Sequence, residues 1–404
     1  MLKLSKLASS IVNPRSVASF STMNPSRIIT RSAIFTEHGN PSDVIKVKEV
    51  DLGDLPSNKV ALKMLISPIN PSDKNQVQGV YPIKKVKSVL TIVDSKTNSR
   101  TETECYVGGN ESIAEVVEIG PDAGESGNGK VNVGDWVIPM STGDVGTWTT
   151  DAFADPSSLV VVRNREGLTP EQVGSVRVNA STAYRMLKDI VSLNKGDYVI
   201  QNGANSGVGQ VLIQLAKLWG YRTINVVRDR DDFEEMEKFL KGLGADIIIK
   251  EDQLNSDETK AMMKALDAPV RLGINCIGGK PSVLMTKYMA NGSYFATYGA
   301  MSKLPTSIPA STFIFKDIRF VGYWVSRWYK LNPVEKWVEM WDELFDYMRQ
   351  GKLQYQVMEP VDWVTRNPGK DGSTASVTPV DIEALEARVA ASMDSGKKQY
   401  FRYY

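Results

Sequence analysis

The chain has 404 residues, 42% of them hydrophobic and 24% charged, with 48 Lys+Arg against 47 Asp+Glu. That is long enough for two domains with buried cores, and the composition excludes a disordered chain or a fibre. A net charge of +1 gives no general pull toward nucleic acid or anionic membrane, no run of about 18 apolar residues marks a spanning helix, and two cysteines, Cys105 and Cys276, cannot form a disulfide framework.

From Met1 to Thr36 there is no Asp or Glu, while Lys3, Lys6, Arg15, Arg27, Arg31 and many Ser and Thr are present. Residues 2–20 mix apolar and basic positions as an amphipathic helix does, which is the signature of a mitochondrial transit peptide. We assign it to residues 1–22, with cleavage near Phe20–Met23; the alternative is a disordered tail. A secretory signal would need a longer unbroken apolar core than Leu2–Val12.

Short strands follow. Ile28–Phe35 and Val44–Val50 are rich in β-branched residues and Lys59–Ile66 alternates, with turn signals at Gly39-Asn40-Pro41 and Asp54-Leu55-Pro56. Glu115–Ile119, Trp136–Pro139 and Leu159–Val162 continue an irregular, loop-rich β pattern. The polar stretch Ser88–Tyr106 reads as an insertion or mobile loop.

The character changes near residue 170. Thr169 caps a helix that begins at Pro170, and a second helix covers Ala180–Val191. Strands then alternate with helices: Tyr198–Gln201 with Val208–Leu218, Thr223–Val227 with Asp231–Leu243, Asp246–Ile249 with Thr259–Leu266, and Arg271–Cys276 with Pro281–Met289, before strand Gly292–Thr297. This spacing predicts a parallel sheet with crossover helices. The tail reads as helix Pro333–Met348, a strand-like stretch at 353–359, a helix at 379–393 and a short strand at Lys397–Phe401.

The single histidine, His38, rules out a His-pair zinc site and, unless it is itself the base, Ser-His and Cys-His triads. Chemistry must therefore come from other groups or from a cofactor. The segment Gly203-Ala204-Asn205-Ser206-Gly207-Val208-Gly209 lies between a strand and a helix, as a dinucleotide fingerprint requires. Gly203 permits the turn, Gly207 lets backbone N–H groups reach a pyrophosphate, and Gly209 lets helix pack on strand. The next strand ends in Arg228-Asp229-Arg230, where NAD-specific folds carry an acidic residue that binds the ribose hydroxyl. Two guanidiniums suit a 2′-phosphate, so NADPH is favoured over NADH, and Asp229 is free to orient an arginine. The alternative is a solvated charge run.

Turn formers surround Asn70, Asp73, Asn75 and Tyr81 in Pro68–Pro82. Together with Gly108-Gly109-Asn110-Glu111, Gly146-Thr147-Trp148, Val178–Tyr184, Asn275-Cys276-Ile277-Gly278-Gly279 and Tyr298-Gly299-Ala300-Met301, this cluster resembles the zinc-free medium-chain dehydrogenase/reductase superfamily. Within it, the chain is similar to the mitochondrial trans-2-enoyl-thioester reductases. Zinc-dependent relatives carry Gly-His-Glu where this chain has Gly109-Asn110-Glu111, and Asn is a poor zinc ligand. The resemblance therefore implies no metal, no nucleic acid and no membrane insertion. It implies an α/β fold in which a Rossmann-type doubly wound sheet (179–326) binds NADPH beside a GroES-like β-rich catalytic domain (23–178 and 327–404).

The same resemblance implies hydride addition to the β-carbon of an enoyl thioester, carried by CoA or acyl carrier protein, with Tyr81 as oxyanion stabiliser and proton donor. Asn179 and Tyr298, Gly299, Ala300 and Met301 would meet the nicotinamide. Asn205, Ser206, Gly207 and Val208 would hold the pyrophosphate, and Arg228, Asp229 and Arg230 the adenosine phosphate. Tyr323, Trp324 and Val325 would close the cleft, although an aromatic in a strand is more often core. Lys398 would approach the cofactor from the tail. Ala300 stands where relatives have Gly and is expected to crowd its loop. Lys84, Lys85 and Lys87 offer a landing patch for an acidic carrier, though a solubilising charge run is the preferred reading. A homodimer joined by edge strands around Ile318–Tyr323 is expected. A quinone reductase, or a non-catalytic NADPH-binding partner protein, remains as an alternative.

Overall fold

The computed structural model describes residues 27–140, 145–367 and 376–404, so the transit-peptide assignment at 1–22 lies outside the described residues. Strands β1 (Ile29–Phe35), β2 (Lys46–Asp51), β4 (Ser88–Val93) and β5 (Arg100–Val107) form a closed barrel. Between β1 and β2 lies the short helix α1 (Pro41–Val44). Between β2 and β4 lie β3 (Val60–Pro68) and helix α2 (Pro71–Val77). The stretch read as an insertion or mobile loop, Ser88–Tyr106, forms a hairpin in antiparallel register from Ser88↔Cys105 to Val93↔Arg100. Its polar tip is ordered locally, since Asp94 Oδ1 accepts from the N–H groups of Lys96 and Thr97.

A second sheet runs β16 (Glu359–Asp362), β19 (Gln399–Arg402), β3, β6 (Ile113–Ile119), β7 (Trp136–Pro139) and β9 (Leu159–Val161), and β8 (Asp151–Ala154) also pairs with β3. The chain's last strand therefore lies beside one of its first, Tyr400 opposite Pro68. Phe35, Leu62, Met64, Trp148, Trp363 and Phe401 fill this core. Strands β17 (Val364–Asn367) and β18 (Ser376–Pro379) form a hairpin before α12 (Ile382–Asp394).

Helices α3 (Pro170–Gly174) and α4 (Ser181–Asp189) lead into the parallel sheet, with a π-helical stretch, Val176–Ala180, between them. Its order is β12 (Ile247–Lys250), β11 (Arg222–Val227), β10 (Tyr198–Asn202), β13 (Val270–Asn275), β14 (Tyr294–Thr297), β15 (Arg319–Gly322). Helices α5 (Gly207–Trp219), α6 (Phe233–Leu243), α7 (Asp257–Lys264), α8 (Gly279–Met285) and α9 (Ala310–Ile314) make the crossovers. The chain starts at β10, winds outward to β12 and returns to β13. The order reverses beside β10, and a crevice opens there at the carboxyl ends of the strands.

The sheet is covered on both faces. Val199, Leu272 and Ile274 pack with Leu212 and Leu215 of α5 and with Trp341, Leu344 and Phe345 of α11 (Val334–Arg349), which follows α10 (Val325–Leu331). Ile200, Ile224, Val226 and Phe295 face the other way with Met285 and Met289. Two further expectations are corrected. Pro71–Val77, read as turns, is a helix, and 353–359 forms no strand before Glu359.

Candidate active site

Several segments converge on the crevice: the start of α2, the Gly108–Glu111 loop, the π-helical stretch, the carboxyl ends of β10, β11, β14 and β15, and the lead into β19. Asn70 precedes α2, and Asp73 Oδ2 accepts its backbone N–H at 2.8 Å, as in a capping box. That leaves the Asn70 amide free to organise the site. Its Nδ2 donates to Glu111 Oε2 at 2.7 Å, and its Oδ1 accepts from Asn179 Nδ2 at 3.0 Å and from Lys398 Nζ. Lys398 Nζ also donates to the Ile69 carbonyl at 2.9 Å, and Glu111 Oε1 accepts the Val178 N–H at 2.7 Å. The π-helical turn is the device that aims Asn179 into this network.

Asn110 donates to Gln76 Oε1 at 2.6 Å and to Asp73 Oδ1. Among the described residues no group of three His, Cys, Asp or Glu side chains is placed to hold a metal ion. Burial pushes the Asp73 and Glu111 carboxyls above the usual carboxylate range, and it lowers the Lys398 ammonium to about 8 against the opposing pull of Glu111 and Asp73.

Tyr81 follows α2, its N–H bonded to the Asn75 carbonyl at 3.2 Å. Trp324, which precedes α10, donates its indole N–H to the Tyr81 hydroxyl at 3.1 Å. The indole uses one lone pair of the phenol oxygen, so the phenol's own hydrogen remains for an acceptor. Burial raises the phenol above its ordinary value and keeps it protonated at neutral pH. Trp324 is half-buried and bridges two segments of the cleft rather than lying in the core.

The glycine turn follows β10. Gly203 has φ +59°, and a Cβ at Gly209 would meet the Ala204 carbonyl oxygen at 2.4 Å. Ser206 caps α5 through its hydroxyl to the Gly209 N–H, and the Asn205 carbonyl accepts from Gln210. The N–H groups of Gly207 and Val208 lie in the first helical turn and so have no intrahelical acceptor. A Cβ at Gly207 would strike the Gln356 amide and approach Asn179 at 3.3 Å, so amides pack against this glycine.

The remaining expected positions fall at the same edge. After β14, the Tyr298 N–H bonds to Asn275 and the Met301 N–H to Cys276, with Gly299 against Cys276. Tyr298 is desolvated between Cys276 and Ser206, which holds its phenol well above the ordinary range. Ala300 is exposed, so the expected crowding by its methyl does not arise. After β15, the Tyr323 N–H bonds to Thr297, and Val325 is buried beneath it. At the end of β11, Arg228 is exposed. Asp229 pairs with Lys250 at 2.6 Å rather than with an arginine, and Arg230 pairs with Asp232. Lys84 donates to the Gly79 carbonyl, Lys85 to the Gly109 carbonyl, and Lys87 pairs with Glu104 at 3.7 Å. All three lysines are thus engaged locally. His38 stacks on Tyr106 and faces the Val77 carbonyl at 3.2 Å. Cys276 is buried, and its thiol is raised to about 11, which leaves it inert.

Sequence reasoning did not assign roles to Asn70, Glu111 and Gln356. Asn70 and Glu111 stand within segments it had singled out, whereas Gln356 carried no sequence signal.

The donor set fits a pyridine dinucleotide: free N–H groups at the start of a thirteen-residue helix, a glycine face with no room for a side chain, and an exposed arginine at the end of the second strand. Fold and site together define a pyridine-nucleotide oxidoreductase of the medium-chain dehydrogenase/reductase class. The zinc-binding dehydrogenase family matches residues 207–345. The mitochondrial enoyl-[acyl-carrier-protein] reductase of Xenopus tropicalis is 40% identical over 81% of this chain and 87% of its own length. The enzyme of that name from Homo sapiens is 38% identical over 86% and 85%. The mitochondrial 2-enoyl thioester reductase Etr1p/Etr2p heterodimer of Candida tropicalis superposes with a TM-score of 0.78 at 33% identity, covering 93% of this chain and 100% of that one. A complex of Etr1p with NADP and crotonyl-CoA superposes equally well, with a TM-score of 0.78. The chain belongs to the mitochondrial enoyl-[acyl-carrier-protein] reductase family.

Proposed function

We infer that this chain reduces trans-2-enoyl thioesters to saturated acyl thioesters with NADPH, in mitochondrial fatty acid synthesis. When bound, NADPH supplies the hydride that adds to the substrate β-carbon. The protein must then meet the negative charge that develops on the thioester oxygen and return a proton to the α-carbon. Tyr81 serves both needs, because its phenol is protonated and carries one unengaged hydrogen. Trp324 fixes the phenol oxygen from the other side and narrows the directions in which that hydrogen can point. Asn179 is held by Asn70, and Asn70 in turn by Glu111 and Lys398, so the amide that would meet the nicotinamide cannot rotate freely. The expected cofactor contacts at Tyr298–Met301 and Tyr323–Val325 follow the neighbouring strands β14 and β15, which supports this reading.

The observation that carries this reading is the Tyr81–Trp324 hydrogen bond at the mouth of the dinucleotide crevice. Tyr81→Phe tests it. Loss of an oxyanion donor should lower kcat on crotonyl-CoA by roughly 10²–10³-fold with little change in NADPH binding. The loss is read from the fall in reduced-nicotinamide absorbance, with NADH run in parallel. Undiminished turnover by the variant would remove Tyr81 from the reaction.

We further propose a homodimer joined through β15. Among the described residues this strand is one of the two edges of the parallel sheet, and the segment before it exposes Phe313, Ile314 and Phe315.

A further inference from the structure

Gln356 lies in the irregular segment before β16, and two glutamines of α5 hold that segment in place. Gln214 accepts the Gln354 N–H at 2.7 Å and donates to the Gln354 carbonyl at 3.1 Å, while Gln210 accepts the Val357 N–H at 2.9 Å. The pair stands one helical turn apart and imitates a strand ladder. It leaves Gln356 turned inward, only 1% exposed. Neither its Oε1 nor its Nε2 has a hydrogen-bond partner among the described residues. The amide is aimed at the start of α5: a Cβ built on Gly207 would lie 1.7 Å from Gln356 Oε1.

A buried amide with both atoms unpaired is costly, and such a group in a native structure calls for a ligand or a water. It lies against Gly207, whose N–H is one of the unengaged donors in the first turn of α5, and the Asn179 amide borders the same space. An anion placed there would accept from the helix N–H groups and from Gln356 Nε2 together. A 180° turn of the amide suffices to present that nitrogen.

We propose that Gln356 is a direct contact for the diphosphate of NADPH, completing the pyrophosphate cradle beside Gly207 at the start of α5. This rests on the NADPH reading above and adds to it a residue from outside the nucleotide-binding strand–helix units. The Gln210 and Gln214 staples are then positioning residues, since they fix the backbone on either side of Gln356.

The test measures binding without thioester, by NADPH fluorescence titration of wild type, Gln356→Met and Gln356→Glu. Gln356→Met keeps the shape and removes the donor, so NADPH should bind roughly tenfold more weakly. Gln356→Glu places a carboxylate against the diphosphate and should bind more weakly still. Adenosine 2′-monophosphate lacks the diphosphate and should compete equally well in all three proteins. The unliganded Gln356→Met protein should melt no lower than wild type, because an unpaired buried amide has been removed. NADPH affinity within twofold of wild type in both variants, or an equal loss of both ligands, would overturn the proposal. Wild-type protein that binds adenosine 2′-monophosphate but not NADPH would overturn the NADPH reading itself.

Discussion

At the scale of single residues the site works by making groups depend on one another. Asn70 satisfies Glu111, Asn179 and Lys398 with one amide, and its own N–H is held by Asp73. Burial disfavours charge on Asp73, Glu111 and Lys398 alike, against the hydrogen bonds and opposite charges that favour it. Lys398 gives a measurable consequence. Its ammonium value is lowered to about 8, below the ordinary 10.5. As pH rises through about 8 the free protein loses this positive charge, and an anionic dinucleotide loses an attraction. NADPH dissociation constants should therefore rise above pH 8, by up to roughly tenfold per pH unit. Lys398→Met should bind weakly at every pH and show no such slope. The sign for folding is opposite. An unfolded chain holds the lysine proton more tightly than the native state, so stability gains between pH 8 and the ordinary lysine value as pH increases. A flat wild-type binding profile from pH 6 to pH 9 would remove Lys398 from the cofactor site.

At the scale of elements, α5 shows what the glycines do. Gly209 brings helix and turn so close that a Cβ would sit 2.4 Å from a backbone oxygen, whereas a Cβ on Gly242 in α6 meets nothing within 4 Å. Gly209→Ala should thus lower the urea midpoint by an amount equivalent to about 1–3 kcal/mol and weaken NADPH binding. Gly242→Ala, in an open helical position, should raise stability by about 0.5–1 kcal/mol and leave binding alone. Equal effects from the two substitutions would contradict the packing assigned to the turn. The strand–turn–helix unit was legible in the sequence because its signals are local: β-branched residues, then glycines, then an apolar helix period. Pro71–Val77 was not, because Asn, Pro, Ser and Asp signal both a turn and a helix start, and only the bond from Asn70 N–H to Asp73 settles which. The hairpin Ser88–Val107 was hidden because β5 turns Arg100, Thr101, Glu102 and Glu104 to solvent and the turn between the strands is polar. Residues 353–358 have no period of their own, since their partners are side chains of α5 about 140 positions away. The fingerprint and Tyr81 could be found by motif. The web from Asn70 to Glu111, Asn179 and Lys398 joins four distant segments, and no window of sequence contains it.

At the scale of the whole molecule, the chain's end returns to its beginning. Strand β19 pairs with β3, and the residue just before it, Lys398, reaches the Asn70 that follows β3. The Tyr81 phenol and the Trp324 indole that donates to it lie 243 positions apart and meet only when the β-rich half and the parallel sheet are assembled. Among the described residues the parallel sheet ends at β15 with an unpaired edge, and the segment before it carries Ile314 and Phe315, which are 69% and 76% exposed. Contiguous apolar exposure next to a free strand edge suits a second copy of the same sheet, because a two-fold axis would pair each edge with its equal. Ile314→Glu with Phe315→Glu places two like charges per chain in that contact, where burial without a partner is costly. Sedimentation should then show a dimer for wild type and a monomer for the double variant at micromolar concentration. Because β15 also carries Tyr323 and Trp324 at its end, the monomer should lose part of its kcat through a looser cleft wall while still binding NADPH. A wild-type monomer, or a double variant that still sediments as a dimer, would place the interface elsewhere or remove it.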